Sequence, residues 1–121
     1  MMPPELALAI AQFNCGEFYA CHDTLEALWL EAAEPERTFY QGLLQVAVAC
    51  YHLRRGNRRG AILLLGEGRR RLQQCDPNFY GLDLTPFLAA VAELQGQLQT
   101  SLEAEPKIHL HLAVAAAPDQ A

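Results

Sequence analysis

The chain has 121 residues, 51% of them hydrophobic and 19% charged, with a net charge of −5. A single domain of this size buries roughly two-thirds of its unfolded surface, and this balance excludes a disordered tail protein. Twenty Leu and nineteen Ala stand against four Val and three Ile, a bias toward helix formers over β-branched residues. It excludes a sheet-built enzyme fold and implies an all-α protein.

Pro3-Pro4 opens a first helix running to about Phe13, with proline tolerated in the first turn. Asn14-Cys15-Gly16 breaks it, because Asn and Gly accept the left-handed conformation of a helix exit. A second helix spans Glu17 to about Ala33 and stops before Pro35. The third, strongly apolar, runs from Glu36 to Arg55 with Gly56 at its end. Asn57 is the expected N-cap of a fourth helix reaching about Gln74. Its interior glycines, Gly66 and Gly68, imply close backbone approach or a local break. Residues 76–81 read as loop, and Thr85-Pro86 starts a fifth helix to about Glu103.

Beyond Pro106, Lys107 to Val114 alternates with period two, a strand-like pattern. The expected architecture is a compact multihelical bundle of about five helices built from two antiparallel hairpins. Residues 1–105 form a single helical domain, and 106–121 a tail, extended or disordered. The turns around Gly16 and Gly56 echo one another forty residues apart, like the hairpin unit of tetratricopeptide-type repeats at a longer offset.

No apolar run reaches the roughly 20 residues of a membrane helix, and no basic leader precedes an apolar stretch at Met1. The expectation is a cytoplasmic chain with no membrane partner. Cys15, Cys21, Cys50 and Cys75 show no metal-ligand spacing and read as reduced thiols filling helix faces. No cofactor is indicated.

Charge is unevenly distributed. Residues 54–71 carry Arg54, Arg55, Arg58, Arg59, Arg69, Arg70 and Arg71 against Glu67, between two acidic segments. Clustered arginine suits phosphate or RNA, but no aromatic is interleaved for base stacking. A solvated helix end answering the acidic segments of the same molecule is the favoured reading, and nucleic acid is not an expected partner.

Polar residues interrupt two apolar faces. On the second helix His22, Glu26 and Trp29 share one stripe, flanked by Phe18, Tyr19 and Leu25. On the third, Gln41, Gln45 and His52 share another. If both faces are buried, the stripes must meet, since isolated polar groups there cost a few kcal/mol each. The expectation is a buried cluster of His22, Glu26, Trp29, Gln45 and His52. Three readings compete: a structural network that fixes register, a metal set of His22, Glu26 and His52, or a general base beside a small pocket. Whether the chain is an enzyme stays open at this point.

The blocks Phe13-Asn14-x-Gly16-Glu17-Phe18-Tyr19-x-x-His22-Asp23-x-Leu25-Glu26-x-x-Trp29, Gln41-Gly42-Leu43-Leu44-Gln45-x-Ala47 and Tyr51-His52-x-x-x-Gly56-Asn57-x-x-Gly60-Ala61 carry a resemblance. Together they resemble the prokaryotic domain-of-unknown-function family 309, over residues 13–72. The family usually has His-Glu where this chain has His22-Asp23. The resemblance implies a small multihelical domain with hallmark polar positions at His22, Glu26, Trp29, Gln45, His52 and Asn57, and it supplies no reaction. The first expectation for function is a non-catalytic interaction module, with the third helix and the tail favouring a homodimer.

Overall fold

The structure, a computed structural model, describes residues 2–100 and 108–114. Five helices follow one another: α1 (Pro4–Asn14), α2 (Phe18–Glu31), α3 (Glu36–Arg54), α4 (Arg58–Leu72) and α5 (Leu84–Thr100). The fold is all-α apart from two short strands, β1 (Leu82–Asp83) and β2 (Ala113–Val114). Each helix packs on the next, most extensively α3 on α4. The α1–α2 and α3–α4 pairs form the two expected hairpins.

The echo between the two hairpin turns is structural. At the first, the Glu17 N–H reaches back to the Gln12 carbonyl (2.8 Å) and the Gly16 N–H to Phe13 (2.9 Å). At the second, the Asn57 N–H bonds to His52 (2.8 Å) and the Gly56 N–H to Leu53 (3.1 Å). Both are Schellman exits, which need a left-handed residue; Gly16 and Gly56 supply it at φ 79° and 80°. Asn57 caps α4 as expected, its side chain accepting from the Gly60 N–H at 2.9 Å.

Helix α3 is buried nearly all round, through residues such as Phe39, Leu43, Val46, Ala49 and Cys50. A helix that is apolar on most sides must lie between neighbours, and α3 runs between α2 and α4. Aromatic contacts close the core at both ends. Phe13 meets Phe18 (5.3 Å) and Phe87 of α5 (5.6 Å), while Phe39 stacks on Phe79 of the α4–α5 loop (4.5 Å). The glycine expectation is met by close approach: a Cβ on Gly68 would sit 2.8 Å from the Gly42 carbonyl oxygen.

The α4–α5 loop contains a 3₁₀ turn at Phe79–Gly81, with Tyr80 at φ 54°. Helix α5 begins at Leu84 rather than at a Thr85 cap, and the Leu84 N–H bonds to the Pro77 carbonyl (2.9 Å). The expected end of that helix at Glu103 lies outside the described residues. The period-two pattern of the tail is realised on the bundle. Leu110 and Leu112 are buried, His109 and His111 face solvent, and β2 pairs antiparallel with β1.

The thiols divide. Cys21 and Cys50 are core residues whose burial pushes their pKa to about 12, which keeps them protonated and inert. Cys15 is exposed and Cys75 half-buried, so only two of the four fill the core as expected.

Candidate functional site

Helix α2 buries Phe18, Cys21 and Leu25. His22, Glu26 and Trp29 lie on the shoulder of that face, displaced by about a quarter-turn. The consequence is exposure. The His22 side chain is 25% exposed and that of Glu26 51%, while Tyr19 is 57% exposed. The expected buried cluster is therefore corrected: the stripe read as the core face is its rim.

Stripes from the two helices do meet, but at the surface and through other residues. At one end Tyr19 of α2 packs on Tyr51 of α3, ring centroids 5.3 Å apart. At the other, the Arg37 guanidinium of α3 lies 4.2 Å over the Trp29 ring and donates to the Trp29 carbonyl (3.2 Å). Between these ends α3 presents half-buried Gln41, Leu44 and Val48 at helical spacing. His22 leans on Tyr19 (5.7 Å), and His52 on Tyr51 (6.1 Å). A run of rings thus separates the two imidazoles.

His22 has only local polar partners. Its Nε2 is 3.4 Å from Glu26 Oε2 and its Nδ1 is 3.3 Å from Asp23 Oδ1. The Nδ1 contact is too poorly aligned for a hydrogen bond, and among the described residues this buried atom and the Trp29 Nε1 have no hydrogen-bond partner. Among the described residues, no three His, Cys, Asp or Glu side chains are placed to hold a metal ion. His22, Glu26 and His52 do not form the ligand set that the spacing suggested.

The general-base reading also required a pocket at these residues. Two clefts, of about 700 and 560 Å³, lie around the α2–α3 connection and the α4–α5 loop. They share Glu36 and Tyr80, and neither is lined by His22, Glu26 or His52. Near the first, hydrogen bonds from the Thr38 hydroxyl and N–H hold the Glu34 carboxyl below its ordinary pKa and fasten the first turn of α3.

Gln45 is the one cluster member that is buried, at 8% exposure, and it turns toward α4. Its carbonyl accepts from Arg71 (3.1 Å) and its amide donates to Glu67 (3.1 Å), which also lies 3.6 Å from Arg71. The sequence spacing placed Gln45 with His52, but its side chain answers the i, i+4 pair of the next helix. Gln45→Ala should cost about 1–3 kcal/mol in urea unfolding, from two lost hydrogen bonds and lost packing. Gln45→Leu should cost less, because it fills the space and leaves Arg71 paired with Glu67.

The arginine segment is dispersed over several partners. Arg54 donates to the Gly16 carbonyl and covers the Phe18 ring at 4.5 Å, fastening one hairpin turn to the other. Arg55 lies over Tyr51 (5.5 Å), Arg58 donates to the Leu98 carbonyl of α5 (3.0 Å), and Arg71 serves Gln45. Arg59 and Arg70 are exposed on α4 and Arg69 is half-exposed. Asn57, a hallmark polar position of the resemblance and the expected N-cap, is exposed and occupied as a cap.

Fold and site together define a helical-hairpin domain in which His22, Glu26, Trp29 and His52 border a surface seam, while Gln45 faces α4 and Asn57 caps it. Residues 6–64 match the model of a family described as a domain of unknown function, DUF309, so the chain is similar to that family over this segment. It begins before and ends before the 13–72 range of the motifs. The chain is 27% identical over 99 residues to an uncharacterized protein of Aquifex aeolicus (strain VF5), a match covering 81% of this chain and 30% of that protein. It is 40% identical over 58 residues to the uncharacterized protein YpuF of Bacillus subtilis (strain 168), covering 47% of this chain and 33% of YpuF. The matches thus span about a third of the length of these relatives. Among the described residues, no helix is long and apolar enough to cross a membrane.

Proposed function

We propose that the domain is a non-catalytic interaction module that pairs with a second copy of itself through the α2–α3 seam. The observation that carries this reading is the composition of the seam: half-buried Leu44, Val48, Tyr51 and Trp29, with an exposed Tyr19 among them. Its margin holds both signs of charge, Asp23 and Glu26 on α2 and Arg37 and Arg55 at the two ends of α3. An apolar, aromatic centre with a charged rim is the anatomy of a protein interface. A face that carries both signs is able to meet its own copy across a two-fold axis.

Light scattering at micromolar concentration tests it. The chain should have a dimeric mass, and Tyr19→Asp should weaken dimerisation at least tenfold by adding a carboxylate beside Asp23 and Glu26. Tyr19 is exposed but packs on Tyr51 and His22, so the stability of the monomer should fall by about 1 kcal/mol, too little to unfold it. A monomeric mass for the unsubstituted chain overturns the proposal. The alternative of a metal or small ligand at His22 draws on its Nδ1, which has no hydrogen-bond partner among the described residues, and not on a set with Glu26 and His52. Elemental analysis of untagged protein is its check, with stoichiometric metal as the deciding result.

A further inference from the structure

Residues 108–114 lie on the helices in the manner of a bound peptide. Leu112 is 3% exposed and closes an interstice lined by Phe13 of α1, Cys21 and Leu25 of α2 and Leu43 of α3. Leu110, 9% exposed, sits against Ala90 and Leu94 of α5. His109, His111 and Val114 are exposed, with His109 at the edge of the α5 cleft that also takes Leu110. Main-chain groups are gripped as well. Asn14 Nδ2 donates to the Leu112 carbonyl at 2.9 Å, and Asn14 Oδ1 accepts from the Leu112 N–H at 2.9 Å. Residues Ala113–Val114 then add an antiparallel strand to Leu82–Asp83.

This is the chemistry of strand-addition recognition, in which main-chain hydrogen bonds give affinity and pockets for alternate side chains give specificity. An asparagine amide that pairs with both the N–H and the C=O of one residue selects an extended backbone, whatever the side chain. Specificity then rests on two apolar seats two residues apart. Asn14 lies within the segment matched by the family model, residues 6–64, whereas its present occupant lies outside it. The Leu112 seat and the asparagine clamp therefore lie within the matched segment, whereas the Leu110 seat on α5, the strand Leu82–Asp83 and the occupant lie beyond it.

We propose that this groove is a binding site for an extended peptide with aliphatic side chains two residues apart, supplied by a partner protein. Residues 108–114 occupy it in cis as a displaceable strap. The groove lining includes neither Tyr19 nor Tyr51 of the α2–α3 seam, so the proposal does not depend on dimerisation there. Tethering gives the cis segment an effective concentration in the millimolar range, so a free peptide competes poorly until the strap is weakened.

The full-length chain carrying Leu110→Ser with Leu112→Ser supplies that weakening. A fluorescent acetyl-Ile-His-Leu-His-Leu-Ala-Val-amide peptide, the sequence of residues 108–114, should bind this variant at least tenfold more tightly than it binds the unsubstituted chain. Adding Asn14→Ala should reduce the binding at least tenfold, and a peptide with both leucines changed to serine should not bind. No binding to a variant whose helical circular dichroism is intact overturns the proposal, as does binding indifferent to Asn14→Ala. If the doubly substituted chain does not fold, amide hydrogen exchange on the unsubstituted chain decides. The Leu112 N–H should exchange at least tenfold faster than the amides of Val46 and Ala49 in α3. Equal protection means that the strap opens only when the whole domain unfolds, and the proposal fails. A dimer of the unsubstituted chain that dissociates on Leu110→Ser with Leu112→Ser would assign the groove to a second copy's tail and overturn the partner proposed here.

Discussion

Phe39→Ala should destabilise the domain by about 3–5 kcal/mol, a large part of the 5–15 kcal/mol that holds a typical domain folded. The ring is fully buried on α3 and stacks on Phe79 at 4.5 Å with an interplanar angle of 19°. Tyr40 and Tyr80 complete the cluster, at 5.8 and 6.2 Å from Phe39. Burial, followed by hydrogen bonding with Tyr80, pushes the Tyr40 hydroxyl pKa above its ordinary value. Truncation therefore removes more than one side chain's burial. It takes away the surface on which the Phe79–Tyr80 turn rests, and that turn leads directly into β1. Urea unfolding measures the loss, and Phe39→Leu, which keeps most of the apolar volume, should lose about half as much. The amide of Leu82 should also exchange faster in Phe39→Ala, since its turn is unseated. A loss below about 1 kcal/mol would mean that the loop does not depend on this ring.

The contrast between Phe39 and His22 shows what the sequence could and could not say. Helix formers, Schellman glycines and prolines act through local backbone energetics, so the first four helices, the start of the fifth and both hairpin turns were legible within a residue or two. Part of the tail was legible: period-two alternation marked Ile108–Val114 as extended chain, although it did not say whether that chain would lie on the bundle or pair with another chain's tail. The facing of the polar stripes was not. His22, Glu26 and Trp29 are flanked by apolar residues on one side only, and a rotation of about a quarter-turn separates a core face from its rim. Which way the helix is rotated depends on Phe18, Cys21 and Leu25 finding their seats on α1 and α3, a matter of tertiary packing. Gln45 fails for a related reason. Its partners Glu67 and Arg71 became relevant only once α4 was laid against α3, and their mutual i, i+4 spacing was the available signal. The buried network expected between α2 and α3 exists on a smaller scale between α3 and α4.

The closeness of α3 and α4 supplies the second large effect, and its sign depends on position. An alanine Cβ at Gly68 would meet the Gly42 carbonyl oxygen at 2.8 Å, Val46 Cγ2 at 2.8 Å and the Val46 amide nitrogen at 3.2 Å. Two of these three atoms are backbone within a helix and cannot swing aside. Overpacking of this kind costs about 1–3 kcal/mol, against which alanine regains up to about 1 kcal/mol of helix propensity. Gly68→Ala should therefore destabilise the domain by about 1–2 kcal/mol net, and Gly68→Val by more, since its methyls extend further into α3. Gly66, one turn-face away on the same helix, should behave oppositely. Its added Cβ would touch the Gln95 amide nitrogen at 2.8 Å, the far end of a flexible side chain whose hydrogen bond to the Ile62 carbonyl is long, at 3.4 Å. Gln95 can move, so Gly66→Ala should be neutral or stabilise by up to about 1 kcal/mol. Thermal unfolding of the two variants side by side reads the difference, at roughly 4 °C per kcal/mol for a domain of this size. Equal melting temperatures would mean that the helices are not held at backbone contact, and the Gly42–Gly68 crossing would lose its role in setting the spacing on which Gln45 reaches Glu67 and Arg71.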